Sequence, residues 1–265
     1  MARKLPPWAV GILGVIGLFA LWWILSITVF ANVGSGDTKA IPTPGQVGEG
    51  WLKDGLHFYW RNFSITINEA AQGYLWGNGI ALVLAAAVLV IPQLRGLVMQ
   101  LAVISYCIPI VAIGPLVLII LGTPKPGEPS STAIFFAALS VFFTTVVGAL
   151  LGLQSADRAS LDVVSVYGGG RMTQLRKVRV VAALPATLVA LQIAVPAAFL
   201  GAVLGEYFGK VEVGIGPAMI VAQQSLNSPR VWGIALASGA VALAGYAAVG
   251  LLTRMAAPWS SGRAA

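Results

Sequence analysis

The chain has 265 residues and is strongly apolar: 58% of them are hydrophobic, only 9% are charged, and the mean hydropathy is +0.87. Soluble domains carry about 25% charged residues, so the composition excludes a soluble protein and indicates an integral membrane protein. The formal charge of +7 suits contact with an anionic membrane leaflet. Outside the apolar segments no basic and aromatic module is found, so we expect no nucleic-acid partner.

Six apolar segments are long enough to cross a membrane as helices, which takes about 20 residues each. They cover residues 8–30, 64–91, 96–121, 132–153, 183–205 and 231–256. The second is diluted in its first half by Glu69, Gln72 and Asn78, which leaves a five-span arrangement as the alternative. We therefore predict an all-α integral membrane protein in which residues 1–265 form one transmembrane domain. Prolines 109, 115, 185 and 196 are expected to kink the third and fifth spans.

Lysine and arginine are distributed unequally between the predicted loops. With the amino terminus inside, the inner side receives Arg3, Lys4, Arg95, Arg158, Arg171, Arg176, Lys177, Arg179, Arg254 and Arg263, and the outer side receives Lys39, Lys53, Arg61, Lys125, Lys210 and Arg230. Because cytoplasmic loops are enriched in these residues, we expect both termini to be cytoplasmic.

Catalytic chemistry has few candidates in this sequence. Cys107, the one cysteine, lies among isoleucines in a span and is expected to be a small buried hydrophobic residue. His57, the one histidine, is distant from it, so the two form neither a nucleophile–base pair nor a metal cluster. The glycines before Arg171 lack the GxxxxGK[ST] spacing of a phosphate loop. We expect no catalytic residue, no metal and no cofactor on this chain.

A polar, basic loop of residues 154–182 separates the fourth and fifth spans. Arg158 to Tyr167 predicts a short helix with Leu161 and Val164 on one stripe. The glycines at 168–170 predict a turn, since glycine adopts positive φ at low cost, and helical character resumes at Arg171. By its pattern, the loop either docks on a partner or lies as a basic amphipathic linker on anionic lipid.

Residues 206–230 predict a second irregular segment. Gly214-Ile215-Gly216-Pro217 is followed by the half-apolar stretch 219–222. We expect a short helix after this glycine turn, which either dips into the outer mouth of the protein or lies at the membrane interface.

The basic loop carries a family resemblance. Asp162-Val163-Val164-Ser165-Val166-Tyr167-Gly168 is similar to E-A-A-x-x-x-G, the first half of the EAA motif of permease subunits in binding-protein-dependent ABC importers, and Val181-Ala182-Ala183-Leu184-Pro185 is similar to its ending. Asp162 replaces the glutamate of the motif, valines replace both alanines, and Val181 stands where the first proline often lies.

Further stretches resemble the nitrate/sulfonate/taurine branch of that family, in the same order along the chain. Pro42-Thr43-Pro44 is similar to its LPTP before span two, and residues 109–116 are similar to its P-x-x-A-x-x-P-L in span three. Asp157-Arg158 with Ser165, Tyr167 and Gly168 resembles its DR…A-R-S-Y-G, and Glu206 with Gly214-Ile215-Gly216 resembles its E…GIG.

The resemblance implies a type I importer permease fold in the bacterial plasma (inner) membrane, and a chain that forms the translocation path for a small solute. The implied partners are two ATP-binding subunits that carry ATP and Mg, a second permease copy or a non-identical permease, and a periplasmic or lipid-anchored solute-binding protein. ATPase coupling then falls on a coupling helix at about Ser160 to Gly170, through Asp162, Ser165, Tyr167, Gly168, Gly169 and Arg171.

Polar residues inside spans are functional candidates because lipid makes them costly. Together with the helix-breaking Pro109, they lead us to expect Ser105, Pro109, Gln192 and Glu206 along the translocation path. Two other function classes stay open at this point. A channel or secondary transporter more often shows inverted repeats or paired intramembrane charges, and a membrane scaffold leaves the matches at residues 109–115 and 206–216 unexplained.

Overall fold

The computed structural model describes residues 6–35, 38–125 and 127–258, without the side chains of Pro7, Trp8, Ser35, Thr38 and Arg171. Three cations used for the orientation, Arg3, Lys4 and Arg263, lie outside the described residues. The helices are α1 (Pro7–Ile27), α2 (Pro44–Val90), α3 (Arg95–Cys107), α4 (Ile110–Leu121), α5 (Ser131–Gln154), α6 (Arg158–Val166), α7 (Arg171–Gln174), α8 (Val180–Phe208), α9 (Ile215–Gln224) and α10 (Ser228–Ala256). A 3-10 turn, Pro92–Leu94, precedes α3, and a π turn, Leu175–Arg179, joins α7 to α8.

The all-α prediction is confirmed, apart from one two-residue hairpin within the described part of the chain. Its strands, β1 (Gly34–Ser35) and β2 (Thr38–Lys39), pair antiparallel with Gly34 opposite Lys39. In the described residues, five helical segments are long and apolar enough to cross a membrane: Ala9–Ile27, Pro44–Val90, Ser131–Gln154, Met172–Phe208 and Ser228–Ala256. A sixth exists if Pro92–Cys107 and Ile110–Leu121, bent by 97° at their junction, count as one span.

The third span, predicted over 96–121 with a kink at Pro109, is therefore broken beside that proline. The chain leaves the helix at Ile108, whose φ of −68° and ψ of 121° are extended. Pro109 explains the break, because proline lacks an N–H and disfavours helical geometry in the residue before it. The second span is longer than expected, since α2 begins at Pro44 and is interrupted at Gly55, which has a φ of 71°.

The described chain forms two compact units. The first contains Met1–Asn62 and Ala218–Ser238, and the second contains Phe63–Pro217 and Gly239–Ala265. In the first unit, Trp51 donates from Nε1 to the carbonyl of Gly233 at 3.1 Å. Arg230 forms a two-pronged ion pair with Asp54, with Nε lying 3.0 and 2.9 Å from the two carboxylate oxygens.

Close helix packing through glycine builds the second unit. Glycines four residues apart lie on α2 (73 and 77), α5 (148 and 152) and α8 (201 and 205). A Cβ at Gly201 would lie 2.6 Å from the carbonyl oxygen of Phe136, and one at Gly152 would lie 2.7 Å from that of Ala183. Small residues at this spacing let membrane helices approach closely, so the glycines fix the contact of α5 with α8.

Candidate functional site

The helix α6 lies in the basic loop, within the predicted coupling segment. Its carboxyl end is closed by glycine: Gly168 has a φ of 75° and donates from its N–H to Ser165 O at 2.9 Å. Gly169 then donates to Val164 O at 2.8 Å. These two bonds are the Schellman arrangement, which satisfies the last carbonyls of a helix and needs a residue with positive φ. The predicted glycine turn is therefore present at Gly168.

One side of α6 faces the rest of the loop. Leu161, Val164 and Gly169 are half-buried there. A Cβ on Gly169 would lie 2.5 Å from Cγ1 of Val164, so the turn packs directly on the helix it ends. Gln174 of α7 donates from Nε2 to Leu161 O at 3.1 Å and to Ser165 Oγ at 2.7 Å. This side chain holds α6 and α7 together.

The opposite side of α6 is apolar and exposed. Val163, Val166 and Tyr167 are 55%, 84% and 87% exposed, respectively, and we call them the α6 apolar face. The same loop carries the exposed cations Arg158, Arg176, Lys177 and Arg179. An exposed aromatic and two valines on a short helix are typical of a surface that inserts into a partner's groove.

The predicted coupling residues have different positions in this arrangement. Asp162, Ser165, Tyr167 and Gly168 are exposed on α6 and its turn, whereas Gly169 is half-buried beneath it. Arg171 begins α7, and its side chain lies outside the described part of the structure. The helical character expected from Arg171 onward is present, because α7 begins at that residue and continues through the π turn into α8. The sequence did not identify Val163 and Val166 as candidate contacts, because hydrophobic residues are normally expected to be buried.

The predicted path residues do not form one cluster. Ser105 donates to Ala102 O of its own helix at 2.7 Å, and Pro109 stands at the break between α3 and α4. Gln192 lines a cavity of about 600 Å³ between α8 and α10, together with Tyr246 and Arg254. Gln192 donates to Tyr246 O at 3.4 Å. Most of the residues that line this cavity are apolar, and Gln192, Tyr246, Thr253 and Arg254 supply its polar side chains.

Cys107 is exposed, so the expectation of a buried cysteine is wrong. It is the last residue of α3, directly before the break at Ile108.

Glu206 is buried near the end of α8, with an exposed fraction of 1%. Its Oε1 accepts a hydrogen bond from the Thr66 hydroxyl at 2.5 Å, and its Oε2 accepts one from the N–H of Gly216 at 2.6 Å. A Cβ at Gly214 would lie 2.5 Å from Oε1. The glycines of the GIG sequence therefore let the start of α9 approach this carboxyl group. The predicted short helix after the turn is confirmed as α9.

Comparison with known proteins agrees with these features. Residues 77–261 match the family described as the binding-protein-dependent transport system inner membrane component. The chain is 29% identical to a probable ABC transporter permease protein of Haemophilus influenzae, over 80% of this chain and 82% of that one. It is 26% identical to the riboflavin transport system permease protein of Chloroflexus aurantiacus, over 96% and 91% of the two chains.

A third relative is the putative aliphatic sulfonates transport permease protein of Bacillus subtilis, 24% identical over 87% of this chain and 80% of that one. The family match covers more than half of the 265 residues, and it includes α6, its glycine turn and the Glu206 region. The chain therefore belongs to the inner membrane components of binding-protein-dependent transport systems and is a permease subunit of an ABC importer.

Proposed function

We propose that this permease is coupled to ATP hydrolysis by insertion of the α6 apolar face into a groove on an ATP-binding subunit. The observation that carries the proposal is the exposure of Val166 and Tyr167, at 84% and 87%, on a helix whose other side is packed. Gln174 and the turn at Gly168 hold this helix in one conformation, so that it can act as a rigid element. Such a helix can transmit a rigid-body movement of its partner to α8.

The charges around α6 favour an acidic rim on that groove. Arg158 of α6 and Arg176, Lys177 and Arg179 of the following π turn are exposed cations of the same loop, and complementary charge guides association and fixes orientation. Asp162 is the one acidic residue within α6, and its role would be to pair with a cation of the partner or of the loop. The ATP-binding subunits, two in each importer, would hold ATP and Mg, and this chain would have no catalytic part.

The remaining partners follow from the same assignment. A second permease, either another copy of this chain or a non-identical one, would complete the path, and a solute-binding protein would deliver a small solute at the outer face. Among the relatives, one transports riboflavin and another aliphatic sulfonates by name, and we propose a small solute of that size range. Within this chain, Gln192 beside the cavity between α8 and α10 is the path residue best supported by its surroundings.

The orientation of the chain belongs to this proposal. The basic loop must face the cytoplasm to meet ATP-binding subunits, which requires an inside amino terminus and, with six spans, an inside carboxyl terminus. The cation distribution between the loops supports this arrangement.

Association of the subunits tests the proposal. Val166→Asp should reduce co-purification of the ATP-binding subunit, because an interface anchor of this kind is worth about 2 kcal/mol, or roughly thirtyfold in affinity. Leu226→Asp is the matched control: Leu226 is also an exposed apolar residue, and its φ of 53° suits aspartate. Equal co-purification of wild type and Val166→Asp would exclude the α6 apolar face as the docking surface.

A further inference from the structure

Two carboxyl groups adjoin inside the second unit, and neither belongs to the docking surface. Glu69 of α2 and Glu206 of α8 have exposed fractions of 0% and 1%. Glu69 accepts the N–H of Ser130, and a Cβ on Gly209, which ends α8 three residues after Glu206, would lie 2.8 Å from Ser130 Oγ, so the two buried side chains are neighbours. Within the described residues, the one ion pair joins Arg230 to Asp54. No lysine, arginine or histidine of that part of the chain forms an ion pair with either glutamate.

The donors around the two groups are unequal. Glu206 accepts on both oxygens, from the Thr66 hydroxyl at 2.5 Å and from the Gly216 N–H at 2.6 Å. The Thr66 hydroxyl donates to Glu206 while its oxygen accepts the N–H of Ile215 at 3.0 Å. Glu206 also faces the first turn of α9, where backbone N–H groups favour a negative charge. This surrounding suits an ionised carboxylate.

Within the described residues, Glu69 receives a hydrogen bond on only one of its two carboxyl oxygens. Its Oε1 accepts the N–H of Ser130 at 2.6 Å. Its Oε2 is buried, and no hydroxyl or N–H of the described residues donates to it. A carboxyl oxygen that faces another carboxylate without a donor is strongly disfavoured when ionised, whereas a protonated carboxyl supplies the missing donor itself.

We propose that Glu69 and Glu206 form a proton-binding site, in which the Glu69 carboxyl holds a proton on Oε2 and donates it to the Glu206 carboxylate. Every carboxyl oxygen of the pair then has a hydrogen-bond partner. The net charge of the site is −1, compared with −2 if both carboxyl groups were ionised. The proton connects α2 with α8, and through Ser130 and Gly216 the pair also holds the amino-terminal ends of α5 and α9. Its release would place two like charges in contact and separate these helix ends.

The choice of residue for the proton is testable by substitution. Glu69→Gln keeps both hydrogen bonds, because the amide oxygen accepts from Ser130 and the amide nitrogen donates to Glu206. Glu206→Gln replaces one accepting oxygen with an NH₂ group, so that the Gly216 N–H and the Thr66 hydroxyl can no longer both donate to this side chain. The two changes are chemically identical and differ only in which carboxyl is replaced. They are therefore matched controls for each other.

Infrared spectroscopy of the full-length chain in lipid nanodiscs near neutral pH tests the site directly. We expect the carbonyl stretch of a neutral, hydrogen-bonded carboxylic acid, shifted in D₂O, in the wild type and its loss in Glu69→Gln. The thermal unfolding temperature of Glu69→Gln should stay close to wild type, and that of Glu206→Gln should fall clearly. A wild type without the band, a band that survives in Glu69→Gln, or an equal loss of stability in the two variants would each overturn the proposal. The wild-type spectrum is informative even if a variant does not fold.

Discussion

Gly169 donates from its N–H to the carbonyl oxygen of Val164 at 2.8 Å, and this bond closes the end of α6. The bond exists because Gly168, one residue earlier, has a φ of 75°. The direction in which Tyr167 and Val166 project thus depends on a backbone conformation that glycine adopts at low cost. The coupling surface is consequently sensitive to a residue that need not contact the partner itself.

Gly168→Val should uncouple ATP hydrolysis from transport. A side chain with a Cβ at this φ costs about 1–2 kcal/mol, and more when it is β-branched, so the turn would open and α6 would lose its fixed end. The measurement is solute uptake per ATP hydrolysed in proteoliposomes that contain the assembled importer.

Two control variants separate this effect from a general loss of loop structure. Gly168→Asn should retain most of the coupling, because asparagine tolerates positive φ better than other residues with a Cβ. Gly170→Ala should resemble wild type, since a Cβ at that position meets no atom within 4 Å. Normal coupling in Gly168→Val, or equal loss in all three variants, would contradict the role given to the turn.

Gly77→Ala should destabilise the second unit, whereas Gly79→Ala on the same helix should not. A Cβ at Gly77 would lie 2.5 Å from Cγ2 of Val141 and would also collide with the carbonyl oxygen of Ala138, but a Cβ at Gly79 meets no atom within 4 Å. Overpacking of this kind costs about 1–3 kcal/mol. Thermal unfolding of the purified chain in detergent measures the difference, and similar unfolding temperatures for both variants would show that α2 and α5 are less closely packed.

Asp54→Asn should destabilise the first unit. Asp54 is buried and receives the guanidinium of Arg230, which also lies 5.3 Å from the ring centre of Phe58. The change weakens a charge-assisted pair worth about 2 kcal/mol and lowers the unfolding temperature. Glu49→Gln provides the control, because Glu49 is an exposed carboxylate on the same helix. If the two variants unfolded at the same temperature, the ion pair would contribute nothing to this unit.

Much of the fold could be predicted from apolar length and glycine, because both act locally. The glycine turns at Gly168 and Gly214 and the short helices beside them were expected from the sequence and are present. The break at Ile108 was only partly foreseeable, since Pro109 indicates a kink and its angle of 97° depends on packing. The meeting of Glu69 with Glu206 was not foreseeable, because it joins residues 137 positions apart in the sequence.

For the coupling site, the sequence predicted which stretch of the chain is involved, but not which of its side chains are exposed to a partner. The motif resemblance indicated residues 162–171, but it did not indicate which side of α6 is packed. That distinction depends on Gln174, whose two bonds to Leu161 and Ser165 hold one side of the helix against α7. Only then does the exposed side with Val166 and Tyr167 become the candidate contact.

Site-specific photo-crosslinking tests the central claim most directly. A photoreactive phenylalanine derivative in place of Tyr167, in the assembled importer, should capture the ATP-binding subunit upon illumination. The same group at Ile119, which is also highly exposed but lies within α4, should not capture it. Capture at position 167 and none at 119 is the result that a coupling role for α6 predicts. An intact complex in which position 167 captures no ATP-binding subunit would contradict it.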